Sequence, residues 1–222
     1  MSGVPPVRTL VLTGGTDPFV DPWHPFAETS RRIADIARSR GHEVEVSGDI
    51  AQRLADLGDV DLLIVNAPAP ADAIDPDLLE AGERFLAAHL AAGRPVAGFH
   101  SGMTGLLGLG LWNRVIGARW IADVSGHPPL GDATIDVRDS PISEGPSSID
   151  LFDEKYSFLE IDGPLTVVAS HEYEGAVHPV VWLREWDGSR VFADALAHDA
   201  RSFDSPEHVR IVERALDWLV EG

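Results

Sequence analysis

The segment Gly98-Phe99-His100-Ser101-Gly102 sets a histidine between glycine-flanked neighbours, where an apolar run gives way to a helix-like pattern. This is the form of a nucleophile elbow, a sharp strand-to-helix turn that displays its middle residue above a sheet. With histidine in that place the chemistry on offer is a general base, a metal ligand or a hydrogen-bond donor to a sugar. The simpler alternative is a histidine that only bonds within its own turn. Ser101 stands one position late, so a serine nucleophile would need a shifted register. The amides of Ser101 and Gly102 open the following helix and could hold an oxyanion or a carbonyl oxygen.

Other candidates are scattered along the chain. Asp153-Glu154-Lys155-Tyr156 offers two acids, of which only one can face a given site, because neighbours in extended chain point apart. A carboxylate there could orient a histidine, ligate a metal or serve as a second acid/base. His198, in Ala197-His198-Asp199, follows an apolar run; His24 and His127 lie in proline-containing loops. These groups have the donor types of a zinc site, yet no two show the spacing of a helical motif such as H-E-x-x-H. His42, His89 and His208 sit on helices or strand starts and read as structural or solvent-facing, and structural roles are favoured for His171 and His178. Gly14-Gly15 lacks both the G-x-G-x-x-G spacing and a P-loop lysine-serine pair, which argues against a nucleotide.

The elements that must position these residues follow from the hydrophobic pattern. Residues 7–13, 42–46, 60–65 and 95–99 read as strands. Helices are expected over 26–40, from 49 through 54, 75–92 and from about 102 to 116, with Asp49 and Asp75 as N-caps. Such alternation predicts right-handed βαβ units and a parallel sheet, whose ligands bind beyond the carboxyl ends of the strands. Gly14-Gly15, Asn66 and His100 are thereby placed at one edge, and His24 lies in the loop after the first strand. Residues 117–163, rich in Gly, Pro, Ser and Asp, read as an irregular insertion around one alternating strand, 133–137. Strands over 165–170, 179–184 and 190–195 and a last helix begun by Ser205-Pro206 complete the chain, that helix burying Val209, Val212, Leu216 and Leu219.

The 222 residues fit a single domain, and a hydrophobic content of 44% suffices for a sizeable core. No run is apolar enough to span a bilayer, and with no cysteine, disulfides and thiolate chemistry are excluded. The formal charge of −19 opposes nucleic acid and anionic membranes and favours a neutral or weakly charged small substrate. A cytoplasmic location is the default expectation, and a homo-oligomer is compatible with the prevalence of symmetric assemblies.

Blocks in the second half bear a resemblance. Gly98-Phe99-His100-Ser101, then Trp112-Asn113-Arg114-Val115-Ile116-Gly117-Ala118, Gly126-His127-Pro128, Asp139-Ser140-Pro141-Ile142 and Phe152-Asp153-Glu154-Lys155-Tyr156 follow one another in family order. Pro179-Val180-Val181-Trp182, Gly188-Ser189-Arg190-Val191-Phe192 and His198-Asp199 close the series. Together they resemble the ThuA-like (trehalose utilisation) family over about residues 95–220, with a looser match before that. The resemblance implies a flavodoxin-like α/β fold of the class I glutamine amidotransferase type and a role in trehalose or related disaccharide breakdown. Here His100 occupies the place of the amidotransferase cysteine, Ala197 stands where the family often has glycine, and Ser140 where it commonly has histidine. The expected function is an enzyme acting on a sugar or keto-sugar, the alternatives being a non-catalytic carbohydrate-binding or scaffold protein and a hydrolase using Ser101. The expected catalytic set is His100, Glu154 and His198. Gly15, His24, Ser101, Gly102, His127, Asp153 and Tyr156 are expected to bind the small-molecule carbohydrate, with a divalent metal such as zinc as candidate cofactor.

Overall fold

The computed structural model describes residues 6–70, 72 and 74–221. In chain order the first half carries β1 (Arg8–Thr13), α1 (Phe26–Ser39), β2 (Glu43–Ser47), α2 (Ile50–Ala55), β3 (Leu62–Asn66), α3 (Pro76–Ala91) and β4 (Val96–Phe99). Then come α4 (Gly102–Gly105), α5 (Gly110–Ile116), β5 (Ala118–Arg119), β6 (Gly131–Val137), β7 (Ser148–Asp153) and β8 (Glu160–Ile161). The chain ends with β9 (Thr166–Tyr173), β10 (Ala176–Trp186), β11 (Ser189–Asp194) and α6 (Pro206–Val220).

Nine strands form one sheet in the order β2-β1-β3-β4-β11-β10-β9-β6-β7. The run from β2 to β11 is parallel, and from β11 outward every pairing is antiparallel. The central strands Leu62–Asn66 and Val96–Phe99 are buried throughout, as expected where helices cover both faces. Helix α1 packs with α6 and α2 with α3. A continuous core runs from Leu10 and Ile64 through Phe99, Trp112 and Trp182 to Leu216.

Three local details differ from the sequence expectation. The helix expected over 102–116 is broken into α4, a 3-10 turn and α5, because Gly105, Gly108 at φ +70° and Gly110 punctuate it. Residues 117–163 hold a regular hairpin, β6 with β7, that extends the main sheet. In α6 the buried stripe is Ile211, Val212, Ala215, Leu216 and Leu219, with Val209 only partly covered. Asp75 caps α3 by accepting from the Asp77 amide at 2.8 Å, whereas Asp49 makes no side-chain cap bond. Among the described residues no helix is long and apolar enough to cross a membrane.

Alternate reversals of the antiparallel half bring β7 back into the direction of β1, β4 and β11. Carboxyl ends of all four strands therefore open on the same edge of the sheet. From these ends issue the segments that carry His24, His100, Glu154 and His198.

Candidate active site

His100 follows β4 directly, at φ +45° and almost completely buried. Left-handed backbone is uncommon for a residue with a Cβ and concentrates at functional turns. Strand β11 holds it there: the His100 amide donates to the Asp194 carbonyl at 2.7 Å, and Nδ1 lies 3.0 Å from the Ala195 carbonyl. A carbonyl can only accept, so Nδ1 carries the proton and, in the neutral ring, Nε2 presents its lone pair. Burial, followed by the neighbouring charge of His24, holds His100 well below the usual histidine range, so the neutral form prevails.

His24 is set in the same way by another partner. Asp21 accepts from the amides of Trp23 and His24 and faces His24 Nδ1 at 2.7 and 2.8 Å. A carboxylate on Nδ1 turns the opposite nitrogen inward as an acceptor. The two Nε2 atoms of His24 and His100 stand 2.9 Å apart. Two lone pairs cannot face each other at that distance without a shared proton or cation between them.

Glu154 and His198 complete the cluster. Glu154 Oε2 is 3.8 Å from His100 Nε2 and 3.1 Å from His198 Nδ1, and Oε1 is 3.5 Å from His127 Nδ1. Despite the 3.1 Å approach the alignment is poor, and His198 Nδ1 is buried without a hydrogen bond among the described residues. Burial opposes the charge of His198, but Glu154, then Asp153 and Asp199, outweigh it and raise its pKa. One ligand atom from each of His24, His100, Glu154 and His198 lies within 4.8 Å of the other three. Three imidazoles and a carboxylate, with Nδ1 atoms tied to outer acceptors on two of them, make a donor set that fits zinc or a similar divalent ion.

Asp153 faces the other way. Its carboxylate is buried and accepts from the amides of Glu154 (2.8 Å), Ala197 (2.7 Å) and His198 (3.0 Å). Burial pushes it up to about 6, against the lowering effect of Ser202, the Ala197 and His198 amides and His208. Asp153 thus fixes the segments that present Glu154 and His198 and does not reach the cavity. Its expected role in binding substrate is replaced by a positioning one.

A cavity of about 690 Å³ opens over the cluster, lined by Asp21, Trp23, His24, Ser101, Trp120, His127, Glu154, Tyr156 and His198 among others. Tyr156 hydroxyl lies 3.0 Å from His100 Nε2; burial, then Glu154, raises its pKa well above the usual value. Ser101 Oγ is buried with no hydrogen-bond partner among the described residues, hence with no base in contact. Gly102 serves close packing: a Cβ there would collide with the Val65 carbonyl oxygen. Gly15, exposed at φ +104° and bonded to the Phe19 carbonyl, is not among the residues that line the cavity. The remaining histidines lie outside the cluster, bonded within the fold. His42 bonds Thr9, His89 the Pro95 carbonyl, His171 Ser157, His178 the Phe158 amide and Tyr173 carbonyl, and His208 Asp194. Asp21 escaped the sequence reading; its only signal was an aspartate two residues before Trp23, the spacing of an Asx turn.

The site lies where doubly wound folds collect ligands, and the fold is of the glutamine amidotransferase type. A glutamine amidotransferase from Thermotoga maritima superposes with a TM-score of 0.59 at 11% identity, covering 97% of this chain and 99% of that one. The chain belongs to the trehalose utilisation (ThuA) family, whose model matches residues 11–219. A ThuA-like protein from Parabacteroides merdae superposes with a TM-score of 0.79 at 16% identity, covering 97% of this chain and 90% of that one. A second ThuA-like protein, from Bacteroides uniformis, gives 0.76 at 12% identity with coverage of 99% and 94%. No curated protein matches the chain.

Proposed function

We propose that the protein is an enzyme acting on an uncharged sugar or keto-sugar, with a divalent cation such as zinc held by His24, His100, Glu154 and His198. The observation that carries this reading is the convergence of those four donor atoms, with His24, Glu154 and His198 lining the cavity and His100 buried behind them. Family membership in trehalose utilisation supports the substrate class. When bound, the cation supplies Lewis acidity toward a carbonyl or hydroxyl oxygen.

The chain's own residues supply the rest. Asp21 and the Ala195 carbonyl hold the rings of His24 and His100 in fixed tautomers. His127 Nδ1 lies 2.9 Å from the Pro128 carbonyl and 3.5 Å from Glu154 Oε1, so Nδ1 carries the proton and Nε2 is the accepting nitrogen. His127 and Glu154 are thus the groups placed to move a proton at a carbon or oxygen of the substrate, as enolisation beside a ketone requires. Trp23 and Trp120 stand at the cavity with part of their rings exposed, ready to stack on a sugar face.

The test is turnover of a panel of keto-glycosides and their parent disaccharides by wild type, His100→Ala and His127→Ala, before and after chelation. Loss of two or more orders of magnitude in kcat/KM for His100→Ala and on chelation, with unchanged folding, is expected. The non-catalytic alternative is favoured by the exposed face of Trp23, 72% accessible, and predicts saturable sugar binding without turnover. Trp112 takes no part in either reading, being fully buried with its indole N–H on the Gly102 carbonyl. A Ser101 nucleophile is disfavoured by its unpartnered hydroxyl.

A further inference from the structure

His208 is fully buried near the site and is not among the residues that line the cavity. It lies in the first turn of α6 with its ring fully buried and stacked on Phe203 at 5.4 Å. Its Nε2 is 2.8 Å from Asp194 Oδ2, and its Nδ1 lies 3.0 Å from Ser202 Oγ and 3.1 Å from the Ser202 carbonyl. Asp194, the last residue of β11, is equally buried. A charge pair removed from water in this way contributes little net stability, so its presence calls for another reason.

That reason lies in what Asp194 touches. Its Oδ1 accepts the Leu196 amide at 3.0 Å, which shapes the turn running to His198. Its main-chain carbonyl accepts the His100 amide, and the carbonyl of the next residue, Ala195, takes His100 Nδ1. One short segment, 194–196, therefore sets both the ring orientation of His100 and the path to His198, and His208 is what fixes its carboxylate.

We propose that His208 is a positioning residue for the histidine cluster, acting through Asp194 on His100 and His198. Without it the Asp194 carboxylate is left buried with Oδ2 lacking its donor, and must turn to find another. A carboxylate that turns away releases the Leu196 amide and loosens the Ala195 carbonyl from His100 Nδ1. The cluster then loses the alignment of two of its four donors, although neither has been altered chemically.

The inference concerns the cluster's geometry and is read first without any cation. In the metal-free protein, imidazole NMR of wild type is expected to show a slowly exchanging, downfield His100 Nδ1–H. His208→Leu should lose or shift that signal, and His208→Gln, whose amide N–H can still reach Asp194, should keep it. Zinc affinity by chelator competition should fall about 10-fold or more in His208→Leu and stay near wild type in His208→Gln. If wild type binds no zinc but the His100 signal still responds to His208→Leu, the positioning role stands and the cation reading falls. A folded His208→Leu with an unchanged His100 signal overturns the proposal. Should His208→Leu fail to fold, Asp194→Asn decides in the same way: a shifted His100 signal supports the role and an unshifted one overturns it.

Discussion

Ala197 adopts φ +74° immediately before His198, in a region of backbone space where a Cβ is crowded. Asp153 holds it there through the amides of Ala197 and His198. The position where the family resemblance implies glycine is thus one whose conformation favours glycine. Ala197→Gly is expected to stabilise the protein by up to about 1 kcal/mol and Ala197→Val to destabilise it, both measured by denaturant unfolding. An unchanged or lowered midpoint for the glycine variant would contradict the strain. At this scale the sequence was half readable. Extended-chain alternation showed that only one of Asp153 and Glu154 could face the site, but which one depends on where β7 ends. The role of Asp21 depends on a loop that brings it back to His24, and no periodicity records that.

Helices and parallel strands were readable because their patterns are strong: continuous apolar runs for β3 and β4, and a Pro-led amphipathic stripe for α6. β7 was obscured because Phe152 points outward while Asp153, a carboxylate, points inward, reversing the expected polarity of its alternation. The same elements explain an acid sensitivity. His89 on α3 and His42 before β2 are buried, and burial lowers both below the ordinary value of 6.5. An unfolded chain binds those protons near pH 6.5 and the folded one does not, so stability is fully present above 6.5 and lost as pH falls through the folded values. Replacing His89 by Gln should flatten this slope by up to about 1.4 kcal/mol per pH unit, one proton's worth. Equal slopes for the two proteins between pH 6.5 and 5 would contradict it.

For the whole molecule, the excess of 36 acidic over 17 basic residues meets a cavity whose charged lining among the described residues is Asp21 and Glu154, with no lysine or arginine. Sugar phosphates and uronates should be repelled on approach, and inside wherever no divalent cation offsets the two carboxylates. Against a neutral sugar of the same size, the phosphate ester is expected to bind the metal-free protein about 10-fold or more weakly at low salt, with part of the gap closing as salt rises. Equal affinities would show that the field does not reach the site. Whether four residues from four strand ends form one cation centre is decided by metal analysis of untagged protein. Wild type should carry close to one equivalent of zinc or another divalent ion, and His100→Ala, equally folded, should lose it. Folded wild type that neither retains nor takes up a divalent ion when zinc is supplied would contradict a cation centre and leave the cluster as an acid/base and hydrogen-bonding group.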